Sequence, residues 1–215
     1  MTLQIPTVDV AALFGPAGED RAAVDRAITE AAFEVGFMTV CGHPPQMRVG
    51  RAERDILLKL LDALARGLGI PESIFRDAFD DGISTLRLLH YPKRADGQAA
   101  PQDVPERFTE VDGRRVEQVA RAHVDSGLLE RWSGGRIKAT SHRVIGLGEK
   151  RYSVPFFFEP RPSTVIAPLP IAGIKPFAPF LYGDHLWATT TRFPENYGLA
   201  HLRAARAPYV DPLTT

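Results

Sequence analysis

One cysteine, Cys41, stands among the 215 residues of this chain. No intramolecular disulfide can brace it, and a reducing cytoplasm is the expected compartment. Charge of one sign is also missing: Lys plus Arg number 26 and Asp plus Glu 26, so no long-range field draws the chain towards nucleic acid or an anionic membrane. No apolar run nears membrane-spanning length. The opening residues, MTLQIPTVDVAALFG, have no basic residue ahead of their apolar positions and no small-residue cleavage site, so a mature amino terminus is expected. Internal repeats, low-complexity tracts and a nucleophile motif are absent as well. What the composition does supply is length enough to bury a core and 18 glycines with 18 prolines, which favour a mixed chain with many turns. A single compact unit that takes small neutral or weakly anionic ligands is the expectation.

The first eighty residues read as mixed and mainly helical. Gln4 to Val10 alternates as a short strand, and Glu19 to Val35 carries Val24, Ala27, Ile28, Ala31 and Val35 at helical spacing. FMTVCGH, after Gly36, suits a buried strand closed by a turn. A second helix is expected from about Glu53 to Leu68, with Ile56, Leu57, Leu60, Leu61, Leu64 and Leu68 as its apolar stripe and Gly67, Gly69 and Pro71 as its stop. A short third helix is expected over Pro71 to Phe79. From Ser84 the period changes to two: in STLRLLHYP, Leu86, Leu88 and His90 share one face, and Arg87, Leu89 and Tyr91 the other. Lys93 to Phe108 reads as an exposed loop, Val116 to Val124 as a strand, and KRYSVPFFFEP as a strand buried at Val154 and Phe156 to Phe158. A helix is expected over about Leu186 to Arg206, interrupted at Pro194. The chain is thus expected to be one domain, with a mixed helical region over 1–80, a strand-rich core over 81–170 and an extension over 171–215.

The chemistry-bearing stretch is AHVDSGLLERWSGGRIKATSHRV, from Ala122 to Val144. A strand puts residues i and i+2 on one face, so His123 and Asp125 can approach one ion together. His142 comes from a second strand-forming segment. Two imidazoles and a carboxylate on one face, with open positions opposite, suit non-haem Fe(II) and oxygen chemistry better than zinc. Such a set also arises by chance, and three polar residues gathered by a loop is the rival reading. Downstream, Arg151 and Ser153 share one strand face, and a guanidinium beside a hydroxyl makes a fork for a carboxylate; their ordinary alternative is a surface arginine and a turn-adjacent serine. His43, His90, His185 and His201 lack partners at ligand spacing and read as structural, and Trp132 and Trp187 as packing residues.

Taken in order, HVD, the distal SHRV and RYSVPFFF resemble the Fe(II)- and 2-oxoglutarate-dependent dioxygenases of the isopenicillin N synthase-like group. IPTVDVAAL, GFMTVCGHPP, STLRLLHYP and LLERWSGGRIKATSHRV are similar to other segments of that family. The resemblance implies a mainly β, α+β fold: a double-stranded β-helix, or jelly-roll, core with flanking helices. It implies that His123, Asp125 and His142 bind Fe(II), that Arg151 and Ser153 hold the far carboxylate of 2-oxoglutarate, and that Tyr91 helps there. An ordinary strand-end tyrosine is the competing reading of Tyr91. The partners implied are dioxygen and a small organic substrate, not nucleic acid or membrane, and the activity implied is oxidation of that substrate coupled to decarboxylation of 2-oxoglutarate.

The chain departs from the family at one place above all. Only sixteen residues separate Asp125 from His142, where the family has several strands, and much of the helical region expected between GHPP and LLKLLDALARGLGIPE is missing as well. The barrel is therefore expected to be incomplete, with exposed sheet edges. The triad remains reachable if the strands flanking it are antiparallel neighbours. Two rivals follow: a non-catalytic jelly-roll relic that binds metal or a partner without turnover, and, more weakly, a cupin-like metal hydrolase or isomerase, which would leave Arg151 and Ser153 without a use.

Overall fold

The computed structural model describes residues 4–44, 51–93, 108–111, 114–118, 127–140, 145–146, 150–190 and 210–213. In chain order the elements are β1 (Thr7–Asp9), α1 (Glu19–Glu34), β2 (Thr39–Cys41), α2 (Arg51–Leu68), α3 (Ser73–Phe79), β3 (Thr85–Leu86), β4 (Leu89–Tyr91), β5 (Phe108–Val111) and β6 (Arg114–Gln118). They continue with α4 (Leu128–Trp132), β7 (Ile145–Gly146), β8 (Arg151–Ser153), β9 (Phe156–Phe157), β10 (Val165–Ile166), β11 (Phe180–Leu181) and α5 (Tyr182–Thr190). They fall into two compact units. One comprises Met1–Ile83, Ser126–Thr140 and Phe158–Thr215, and the other Ser84–Asp125 and Ser141–Phe157.

The helices of the first unit follow the sequence period closely. Glu19 and Asp20 occupy the first turn of α1, where acidic side chains meet the positive end of the helix. Its buried side is Ile28, Ala31 and Ala32. It stops where the Val35 and Gly36 amides both donate to the Ala31 carbonyl, at 3.0 and 2.9 Å. Gly36 has φ of 75°, and a Cβ there would sit 2.5 Å from the Lys138 carbonyl oxygen, so only glycine fits this helix end. In α2 the residues from Leu61 to Ala65 are all buried; the expected stripe broadens into a whole turn enclosed by its neighbours. Gly67, expected as part of the stop, lies inside α2 instead. A Cβ there would fall 1.8 Å from the Thr29 hydroxyl oxygen of α1, so this glycine lets the two helices approach. Gly69, at φ 69°, ends the helix. α3 begins at Ser73, later than expected, and buries Phe75 and Phe79.

Enclosing a full turn of α2 also buries Asp62, at 2 % exposure, and a buried carboxylate needs a partner. Arg76 of α3 grips it at 2.7 and 2.6 Å. One helical turn on, Arg66 grips Asp25 of α1 with a second two-pronged pair at 2.6 and 2.7 Å. Glu72 joins the pairs, accepting from Arg66 at 2.6 Å and facing Arg76 at 2.9 Å. The resulting chain of five charges ties α1, α2 and α3 together. The Asp25 hydrogen bond is the main reason the Arg66 guanidinium is held above its ordinary value, against the opposing effect of burial.

β1 and β2 pair in parallel across α1, with Val8 opposite Val40. Their burial alternates, with Val8 inside and Thr7 and Asp9 outside. β2 is less buried than expected: Thr39 and Cys41 are exposed and Val40 is half-buried, because a two-stranded pair covered on one face leaves alternate side chains to water. Trp132 of α4 is 4 % exposed and meets the Phe75 ring edge-on at 5.3 Å, the packing role its sequence context suggested. α5 starts at Tyr182, earlier than expected, and the residues beyond Thr190 up to 209 lie outside those described. His185 is fully buried among Phe180 and Tyr182, at ring distances of 5.7 and 6.2 Å, consistent with a structural histidine. Burial pushes the half-buried Glu159 carboxyl up, and the hydrogen bond from the Tyr182 hydroxyl offsets this in part. Arg131 clamps Asp211 at 3.0 and 2.5 Å. Burial alone would raise the Asp211 carboxyl, but that hydrogen-bonded pair outweighs it and holds the group low.

The second unit is built from short antiparallel ladders. β3 pairs with β9, β4 with β8, and β6 with both β5 and β7. β6 starts two residues before the expected Val116, and Phe108 opens β5 instead of closing the expected loop; residues 94–107 lie outside those described. The apolar run VPFFF is not the buried strand expected, since Val154 is 54 % and Phe157 38 % exposed. Pro155, with no N–H to donate, divides the run into β8 and β9. In a two-stranded ladder one face is left to solvent whatever its side chains. Among the described residues no ladder exceeds three strands and no closed barrel forms.

Candidate functional site

β4 and β8 carry three of the residues singled out from sequence. Their register sets Tyr91 opposite Arg151, His90 opposite Tyr152 and Leu89 opposite Ser153. Because side chains alternate, Leu89, Tyr91, Arg151 and Ser153 share one face, and all four are half-buried. His90 and Tyr152 point the other way and are exposed; their rings stack at 4.7 Å and 17°. The two faces of one small ladder are therefore chemically distinct. One presents a guanidinium, a hydroxyl, a phenol and an isobutyl group. The other presents stacked rings with the Lys150 ammonium 5.5 Å from the Tyr152 centroid.

Sequence alternation already placed Arg151 beside Ser153, and Leu89 beside Tyr91. Bringing the two pairs together is a property of the register. That register runs on through the break at Pro155: the Arg87 amide donates to the Pro155 carbonyl at 2.9 Å, and Leu86 and Thr85 then face Phe156 and Phe157. The Arg151 guanidinium carbon lies 4.5 Å from the centre of the Tyr91 ring, within the range of a cation–π contact. The four-residue face suits a carboxylate on a short methylene chain. Guanidinium and hydroxyl donors match the charged end, and Leu89 offers apolar surface beside it. Leu89 had no role assigned from sequence; its signal was its place two residues before Tyr91.

His123, Asp125 and His142 all lie outside the described residues. Among the described residues no cluster of three or more His, Cys, Asp or Glu side chains could hold a metal ion. The flanking strands are described, and they pair with each other: β6 and β7 are antiparallel, with Gln118 opposite Ile145. The chain therefore departs from β6 towards His123, and returns to β7 from His142, at the same end of one strand pair. This is the neighbour relation that a sixteen-residue separation requires. Two imidazoles and one carboxylate are a donor set whose chemistry fits Fe(II).

No family model matches the chain. Among curated proteins it is 33% identical over 141 residues to the 2-oxoglutarate-dependent dioxygenase traH of Penicillium crustosum, covering 54% of this chain and 43% of that protein. It is 30% identical over 156 residues to the 2-oxoglutarate-Fe(II) type oxidoreductase hxnY of Emericella nidulans, covering 58% of this chain and 43% of that one. The chain thus spans a little under half the length of these relatives. Among solved structures, full-length T7H of Neurospora crassa in complex with alpha-KG superposes with a TM-score of 0.67 at 17% identity, covering 86% of this chain and 96% of that chain. The dioxygenase for auxin oxidation in rice gives 0.62 at 13% identity, covering 88% and 96%. At such identities these two likenesses concern the fold alone, which the chain shares with these two proteins. The sequence matches carry the likeness: over a little more than half of its length this chain is similar to proteins named as 2-oxoglutarate-dependent oxygenases.

Proposed function

We propose that this chain is one dioxygenase domain of the isopenicillin N synthase-like type, with a jelly-roll core, that couples oxidative decarboxylation of 2-oxoglutarate to oxidation of a small organic substrate. The observation that carries the reading is the shared face of Tyr91, Arg151 and Ser153, assembled by the β4–β8 register from two segments about sixty residues apart. A surface arginine and a turn-adjacent serine would have no reason to meet a half-buried tyrosine there. The site roles are then as follows. Arg151 and Ser153 bind the far carboxylate of 2-oxoglutarate, the first through its N–H fork and the second through its hydroxyl. Tyr91 supports them, and His123, Asp125 and His142 hold Fe(II). Fe(II) with bound 2-oxoglutarate supplies the oxidative chemistry. The chain's own residues bind, orient and exclude water, and none needs to act as a general base. The lone Cys41 supports a reducing compartment for such a centre.

The short link of sixteen residues between Asp125 and His142 favours a second reading, a jelly-roll relic that binds metal or a partner without turnover. One experiment separates the two. Fe(II) and 2-oxoglutarate are added to the chain anaerobically, and air is then admitted. A visible metal-to-ligand charge-transfer band, followed by stoichiometric succinate, is the expected outcome. Metal binding with neither band nor succinate would establish the relic.

A further inference from the structure

We propose that a cavity of about 400 Å³ between α3, α4 and the segment 161–170 is a binding site for a small zwitterion with an apolar body, of the class of the apolar α-amino acids. The cavity lies wholly within the first unit and uses no residue of the β4–β8 face, so the proposal stands apart from the carboxylate-site reading. Its volume falls at the lower end of the range of small-molecule pockets, about 300–1,000 Å³. The lining is fixed before any ligand arrives. The Ala78 carbonyl of α3 accepts from the Arg161 amide at 3.1 Å and from the Thr164 hydroxyl at 3.3 Å, and the Thr164 amide closes the turn on the Arg161 carbonyl at 3.0 Å. At the far side the Leu169 amide donates to the Trp132 carbonyl of α4 at 3.4 Å. Pro162, Pro168 and Pro170 restrict the backbone between these anchors. A wall tied down in this way has little freedom left to lose on binding.

Ile74, Trp132 and Leu169 make part of the lining apolar, while Asp77 and Arg161 bring one charge of each sign. The Arg161 Nη2 donates to the Asp77 carbonyl at 2.8 Å, so the guanidinium and the carboxylate stand on one rim. They do not neutralise each other: among the described residues neither side chain makes an ion pair. Asp25, Asp62 and Asp211, in the same unit, are each gripped by an arginine through two hydrogen bonds. An arginine held on a backbone carbonyl by one N–H keeps its others for a ligand carboxylate, and the open Asp77 carboxylate suits an ammonium. A plain anion would meet the charge of Asp77, and a plain cation that of Arg161. A zwitterion satisfies both.

The test is NMR titration of the full chain with L-phenylalanine, 3-phenylpropanoate and 2-phenylethylamine, which share a ring on a short chain and differ in the charges they carry, with L-leucine as a second amino-acid probe. L-Phenylalanine is expected to bind at least about fivefold more tightly than either singly charged analogue. Arg161→Gln should weaken L-phenylalanine about tenfold and leave 2-phenylethylamine no weaker than in the parent. Asp77→Asn should weaken L-phenylalanine about fivefold while tightening 3-phenylpropanoate, a crossing that damage to the fold would not produce. Asp77 is exposed, so this variant keeps the test open should Arg161→Gln disturb the turn. Failure of both amino acids to bind saturably at millimolar concentration would overturn the proposal. Equal affinity for the three phenyl ligands, or L-phenylalanine binding unaltered by both substitutions, would overturn it as well.

Discussion

Arg151→Gln is expected to weaken 2-oxoglutarate binding by about two orders of magnitude while leaving Mn(II) or Fe(II) affinity within about twofold. Glutamine keeps an amide donor at similar reach but loses the charge and the fork. Hydrogen bonds to charged groups are worth about 1.5–3 kcal/mol each, and truncating one partner of a desolvated charge pair costs about 2–5 kcal/mol. Arg151 is half-buried, which places the loss towards the lower end, near 2.7 kcal/mol, or about a hundredfold. Arg151→Lys is the informative companion. It restores the charge as a point without the planar fork, so it should recover only part of the affinity. Ser153→Ala, removing one neutral donor, should cost about tenfold or less. Separate titrations of metal and 2-oxoglutarate check these values. Equal losses of both ligands in Arg151→Gln would mean that the side chain supports the fold of its unit and is no carboxylate anchor.

The largest expected effect on stability lies in the other unit. Arg66→Met should destabilise it by about 3 kcal/mol or more. The substitution keeps an unbranched apolar stem but strips the partner from Asp25, whose side chain is 10% exposed, and leaves Glu72 with Arg76 alone. Breaking a buried pair on one side costs about 3–5 kcal/mol because the other charge is left desolvated and uncompensated. The 25% exposure of the Arg66 side chain pulls the figure to the lower part of that range. Both tryptophans, Trp132 and Trp187, belong to this unit, so urea unfolding followed by their fluorescence reports on it. The midpoint should fall with little change in slope. Pairing the change with Asp25→Leu should recover much of the loss, since no unpaired buried charge then remains: Asp62 and Glu72 both keep Arg76. A loss under about 1 kcal/mol in Arg66→Met would show that water already reaches Asp25 and that the network is a surface feature.

Much of the helical framework was legible because a stripe at 3.6-residue spacing and a glycine beyond it are local signals. α1 and α3 end within a residue of expectation, and α2 ends at Leu68 as read. The charge chain through Asp25, Arg66, Glu72, Arg76 and Asp62 was not legible. Arg66 and Asp25 are 41 residues apart, and nothing in either neighbourhood says that a helix will be enclosed on all sides and so bury an acid. The run VPFFF misled for the opposite reason: apolar residues read alike whether a second layer covers them or not. Gly67 was legible as a special position, but a stop and a close approach call for the same residue.

For the candidate site, alternation within each strand placed Arg151 with Ser153 and Leu89 with Tyr91, while the register that unites the four needs the tertiary structure. The strand pair β6–β7 adds the other half of the case, because it brings the segments leading to His123 and from His142 to one end of a sheet. The separation of sixteen residues, which set this chain apart from the family pattern, is compatible with that pairing. The metal positions themselves belong to the proposal, supported by the donor set and by the likeness to 2-oxoglutarate-dependent oxygenases.

The most direct measurement is a crystal structure of this chain grown anaerobically with Mn(II) and 2-oxoglutarate. The far carboxylate should lie on the Arg151 guanidinium and the Ser153 hydroxyl with the Tyr91 ring beneath the arginine, and Mn(II) should be held by His123, Asp125 and His142. Clear density for 2-oxoglutarate elsewhere, with Arg151 and Ser153 facing only solvent, would contradict the account.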